Sequence, residues 1–195
     1  MEQLVVGSQS SVVGTRVGAV VLGTALVTLA AQISVPLPGT PVPMTLQPLA
    51  VLLVGGLLGA RLGAASMVLY LALGIAGLPV FTPTVPLLGI ARLLGPTGGY
   101  LLAYPLAAYV TGWLAARGFD RRYLTSMLAM LAGLVTVFAG GVLWLAYFAP
   151  GTAGHPVGLR AALAAGLYPF VIPDLIKVAL ASAVLPSAWK LMRRL

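Results

Sequence analysis

Between Val17 and Val35 the chain reads VGAVVLGTALVTLAAQISV, an apolar stretch without a single charge. About 20 such residues, coiled as a helix, cross a hydrocarbon layer of roughly 30 Å. Further apolar runs follow at about 46–60, 62–79, 98–116, 124–148 and 169–189, and only the last of these contains charged residues. With 60% hydrophobic and 7% charged residues in 195, and a mean hydropathy of +1.06, little chain is left for anything outside these runs. The pattern predicts an all-α integral membrane protein: one transmembrane domain, residues 1–195, built as a six-helix bundle. The runs are continuously apolar and rich in Leu, Ala and Gly, without the alternation of a transmembrane β-barrel.

The net charge of +8 would point to nucleic acid in a water-soluble chain. Here the cations lie between apolar runs, where they read as topology signals, and no nucleic-acid partner is expected. If six helices alternate, Arg16, Arg61, the group Arg117, Arg121 and Arg122, and the tail Lys190, Arg193 and Arg194 all share one side. The excess of cations on cytoplasmic loops then places both termini in the cytoplasm. Trp113 and Trp189 fall near cytoplasmic ends and Trp144 near an outer one, as interfacial anchors do. The absence of cysteine excludes disulfides, thiol nucleophiles and cysteine metal sites. His155 has no partner at metal-ligand spacing, and neither a hydrolytic triad nor a P-loop is present.

The outer side collects the unusual segments. These are the Pro-rich loop VPLPGTPVPMTLQ (35–47), the long connection FTPTVPLLGIARLLGPTGGY (81–100) and the start of the last helix around Pro173. In that last helix, PDLIK (173–177) sets Asp174 and Lys177 three residues apart on one helical face. Each costs about 2.5–3.5 kcal/mol at a membrane-helix centre, so keeping both calls for pairing, water or a ligand. A self-satisfied pair reaching the outer interface is the plain alternative. Were the helix to start near Pro173, Asp174 would lie in its first turn, where the macrodipole favours a carboxylate. Arg92 is a cation on the side where cations are scarce, while Arg160 opens the amphipathic piece LRAALAAG. GPTGGYLLAY (95–104) either presents backbone N–H groups to an anion or places glycine for close packing. An acid and a base three apart also permit proton-transfer chemistry, which would make the protein an intramembrane enzyme. One carboxylate and two cations beside aromatic and Gly-rich loops fit a pocket for a small polar or anionic ligand better.

Four motifs in order, QISVPLPGTPVPMTLQ (32–47), GLPVF (77–81), LGPTGGYL (94–101) and PDLIK (173–177), carry a resemblance over residues 16 to 191. The chain resembles BioY, the biotin-specific substrate-binding S-component of energy-coupling factor (ECF) vitamin transporters. The resemblance implies a six-helix S-component bundle in a prokaryotic cell membrane, with a biotin pocket near the outer face covered by the loop after the first helix. It also implies a transmembrane coupling protein and separate ATPase subunits as partners, so that no catalysis and no resident cofactor belong to this chain. Solitary biotin transport, or service as S-component for another vitamin, are the neighbouring readings. Carried onto matching positions, Asp174 accepts from the ureido N–H groups and Lys177 donates to an oxygen. Tyr100 and Arg92 add contacts, with Arg92 assigned to the carboxylate. Thr82 or Thr84 stands where the family often carries an amide, and Thr45 and Gln47 act from the lid. Ala19 and Gly23, four apart on the first helix, correspond to the surface that docks on the coupling protein.

Overall fold

The computed structural model describes residues 2–150 and 155–187, with side chains described from residue 12 onward. Trp189, Lys190, Arg193 and Arg194 lie outside the described residues. The elements in chain order are α1 (Glu2–Gln32), a ladder of β1 (Ser34–Val35) and β2 (Met44–Thr45), then α2 (Gln47–Ile75), α3 (Ile90–Leu94) and α4 (Gly98–Ala115). A 3-10 turn (Phe119–Arg121) leads to α5 (Tyr123–Tyr147), α6 (Leu159–Gly166) and α7 (Tyr168–Ala181). Among the described residues, four helical stretches have the length and apolarity to cross a membrane: Val12–Gln32, Gln47–Ile75, Tyr123–Tyr147 and Tyr168–Ser187.

The helices expected at 46–60 and 62–79 form one assigned stretch that folds back on itself. Gly59 has φ 79° and ψ 174°, a conformation that interrupts the helix and that glycine adopts without a Cβ clash. The halves before and after it run antiparallel: a Cβ on Gly63 would lie 2.9 Å from the Gly55 Cα. The backbones touch there because glycine stands at both positions. α4 uses the same device, since a Cβ on Gly112 would come within 2.5 Å of the backbone at Gly59 and Ala60. Small residues thus let three backbones approach, which stands in for the hydrophobic driving force that lipid removes.

The Pro-rich loop contains the antiparallel ladder, with Ser34 opposite Thr45 and Val35 opposite Met44. Pro36, Pro38, Pro41 and Pro43 cannot sustain a helix, so α1 stops at Gln32, three residues short of the expected boundary. The Gln32 side chain ties this corner to the next connection, donating to the carbonyls of Pro79 and Phe81 at 3.4 Å each. The third run ends at Ile75 rather than 79, and the chain then wanders through residues 76–97 apart from the single turn of α3.

α7 begins at Tyr168, so Asp174 sits well inside the helix rather than in its first turn. The macrodipole account of that carboxylate therefore fails. Pro169 occupies the start of the helix, where its missing N–H is harmless, and Pro173 is accommodated within it. Phe170, Asp174, Val178 and Ala181 form the buried stripe of α7, while Ile172, Leu175, Ile176 and Leu180 are exposed on the opposite face. The ionic residues consequently point into the bundle and the large aliphatics point out. On α1, Gly23 faces the bundle, and a Cβ there would meet Ser66, Val54 and Leu58. That position is filled by α2 and leaves no surface for an outside helix; Ala19 is half-buried.

Candidate ligand site

Alternating helices bring the end of α1, both ends of α2, the start of α4, the end of α5 and the start of α7 to one end of the bundle. A cavity opens there, lined from four directions. The ladder and the start of α2 contribute Thr45 and Gln47; the 76–97 connection contributes Thr82 and Arg92. α4 contributes Tyr100 and Tyr104, and α7 contributes Asp174 and Lys177. Val137 and Phe138 of α5 and Phe170 of α7 close it with apolar surface. Its free volume is small beside the 300–1,000 Å³ usual for small-molecule sites. A water-sized sphere can centre itself in only about 40 Å³ of it, so the cavity is contracted as it stands.

Asp174 and Lys177 pair directly, with Lys177 Nζ 2.6 Å from Asp174 Oδ1. The same ammonium donates to the Thr45 backbone carbonyl at 2.8 Å, which fastens β2 to α7 across the cavity. One turn of helix supplies this geometry, because residues three apart lie one above the other. Thr45 also accepts, through Oγ1, the Gln47 backbone N–H at 3.2 Å, and Gln47 Nε2 donates to the Tyr70 hydroxyl at 2.7 Å. The lid side of the site is therefore a connected hydrogen-bond chain.

Arg92 is 1% exposed, although its helix is a single turn in a loop. Its Nη1 donates to the Val85 carbonyl at 2.8 Å, while its Nε has no hydrogen-bond partner. A buried guanidinium with spare donors, facing a cavity, is arranged to receive an acceptor. Burial pushes its pKa below the ordinary arginine value, and the hydroxyls of Tyr70 and Tyr104 act in the opposite sense. The Thr97 hydroxyl, at the start of α4, is likewise buried without a partner and lines the same cavity.

Of the residues singled out from sequence, Thr45, Gln47, Thr82, Arg92, Tyr100, Asp174 and Lys177 converge on this cavity. Thr84 does not line it: it is exposed and meets Thr82 through a 3.1 Å hydroxyl contact. Tyr100 lines the wall with its ring, but its hydroxyl donates to the Gly166 carbonyl at 2.7 Å and so anchors the end of α6. Gly98 and Gly99 pack against Leu93, Trp144 and Gly140, which settles the GPTGG motif as close helix packing. Arg160 and His155 are exposed. Sequence reasoning missed Thr97, Tyr104 and Tyr70. Tyr104 carried a usable signal, since it lies one turn from Tyr100 in an otherwise apolar helix and must share its face.

A sequence model described as the BioY family matches residues 7–194 of the chain. The "Probable biotin transporter BioY" of Pyrococcus horikoshii is 42% identical over 166 residues, covering 85% of this chain and 91% of that protein. The "Biotin transporter BioY" of Thermotoga maritima is 38% identical over 161 residues, covering 83% and 88%. Among solved structures, the S-component for biotin from an ECF-type ABC transporter superposes with a TM-score of 0.77 at 27% identity, covering 90% of this chain and 91% of that one.

Proposed function

The chain belongs to the BioY family, and from that premise we propose that it binds biotin and carries it across the membrane as the S-component of an ECF-type transporter. The observation that carries this reading is the cavity itself. An inward-facing Asp174–Lys177 pair and a buried Arg92 with an unused Nε stand around apolar and aromatic walls at one end of the bundle. Biotin matches that distribution: a ureido ring with two N–H donors and a carbonyl, an apolar thioether ring and chain, and a terminal carboxylate. Asp174 accepts from the ureido N–H groups and Lys177 donates to an oxygen. Arg92 takes the carboxylate. Thr82 and the lid residues Thr45 and Gln47 add polar contacts, Tyr100 supplies a ring wall, and Thr84 acts by holding the Thr82 hydroxyl.

In this reading α2 counts as two crossings joined at Gly59, α4 is a further one, and the membrane is crossed six times. Arg61, Arg117, Arg121 and Arg122 gather at the end opposite the cavity, which supports cytoplasmic termini and a cavity that opens outward. The protein then resides in the cell membrane of a prokaryote. ATP hydrolysis belongs to partner subunits, met through a coupling protein. The contracted cavity requires the ladder to move away from α7 before biotin enters.

Titrating biotin into the detergent-purified chain by calorimetry tests the binding reading. Saturable binding with one site per chain is expected, and no heat of binding with no biotin co-purifying would overturn it. Uptake of labelled biotin by cells with and without the coupling protein and ATPases separates S-component action from solitary transport.

A further inference from the structure

We propose that Tyr104, and not Tyr100, is the α4 tyrosine whose hydroxyl hydrogen-bonds the ligand, donating to the ureido carbonyl oxygen. The two residues lie one turn apart and both line the cavity. Their hydroxyls differ in what they already do. That of Tyr100 is spent on the Gly166 carbonyl. That of Tyr104 has no hydrogen-bond partner among the described residues, although the residue is 3% exposed. The nearby Tyr70, whose ring centroid is 6.5 Å from that of Tyr104, accepts from Gln47 Nε2 and does not line the cavity.

A hydroxyl on a cavity wall with no protein partner keeps its proton for whatever enters, whereas phenylalanine would offer only its ring there. The oxygen makes sense once something in the cavity accepts from it. Asp174 and Arg92 line the same cavity as this tyrosine. If the Asp174 carboxylate takes one ureido N–H group, the carbonyl next to that nitrogen comes to rest beside it. A neutral donor there completes the recognition that Lys177 begins, since two of that ammonium's three protons are used on Asp174 and Thr45.

This inference rests on the biotin reading. The test compares the wild-type chain and Y104F for biotin affinity by calorimetry, and for unfolding temperature without ligand. Y104F is expected to bind biotin about tenfold more weakly or worse, with its unliganded unfolding temperature unchanged or raised. The same variant should lose far less affinity for 2-iminobiotin, which lacks the carbonyl oxygen, a split that a merely structural role would not produce. Wild-type protein that binds biotin alongside a Y104F variant of equal affinity overturns the proposal alone. Wild-type protein that binds no biotin overturns the functional reading and takes this inference with it. Should Y104F fail to fold, Y104L takes its place in the same titrations: an unchanged biotin affinity overturns the proposal, and a loss for biotin much larger than that for 2-iminobiotin sustains it.

Discussion

Lys177 donates to the backbone carbonyl of Thr45 at 2.8 Å, joining residues 132 positions apart in the chain. That bond makes one side chain both the partner of Asp174 and the fastener of the lid. The ion pair and the closure of the cavity are therefore the same piece of chemistry, and on the proposed reading a ligand oxygen that accepts from Lys177 competes with the carbonyl that holds the ladder down.

Removing the ammonium should accordingly damage more than binding. In Lys177→Met the buried Asp174 carboxylate loses its counter-charge, and breaking a buried pair typically costs about 3–5 kcal/mol. The double variant D174N/K177M, with no charge left, should regain most of that stability. Thermal unfolding of wild-type, both single variants and the double variant closes the cycle; additive single effects would show that the pair is not coupled.

Asp174→Asn tests recognition at the acidic end of the pair. The amide keeps the shape but presents an N–H₂ group where the ureido nitrogens need an acceptor. Biotin affinity should fall by about 1.5–3 kcal/mol or more, while the purified protein remains folded. Calorimetry checks this, and an undiminished affinity would remove Asp174 from the site.

Arg92→Gln should discriminate between ligands. If the guanidinium receives the carboxylate, the variant loses roughly ten- to a hundredfold in biotin affinity and much less for biotinamide, whose end group carries no charge. A loss equal for both ligands would assign Arg92 to holding the loop through Val85 instead.

Tyr100→Phe should act on stability first. The Gly166 carbonyl would be left without its donor at the end of α6, a loss of about 1–3 kcal/mol. The unfolding temperature of the unliganded protein is the measurement, and Y104F is its control.

Glycine substitutions separate packing from propensity. Gly112→Ala should destabilise by about 1–3 kcal/mol, because its methyl group would press on the backbone of the Gly59 turn. Gly18→Ala, with nothing within 4 Å, should be neutral or stabilise by up to about 1 kcal/mol through helix propensity. Thermal unfolding of the two variants side by side distinguishes these signs.

The sequence by itself determined the class, the helical character and most of the polar residues that line the cavity. Continuous apolarity leaves helices as the way to satisfy backbone groups in lipid. A charge in such a helix is expensive enough that Asp174, Lys177 and Arg92 stand out without any coordinates. Only the tertiary structure decided how those groups are used. Whether a hydroxyl is already satisfied depends on what another element brings to it: Gly166 meets that of Tyr100, no hydrogen-bond partner among the described residues meets that of Tyr104, and Thr84 turns outward while Thr82 turns in. The burial of Gly23, the fold-back at Gly59 and the fastening of Thr45 to Lys177 are of the same kind. Periodicity reports the face a residue occupies on its own helix, whereas long-range contacts depend on how the helices pack against one another.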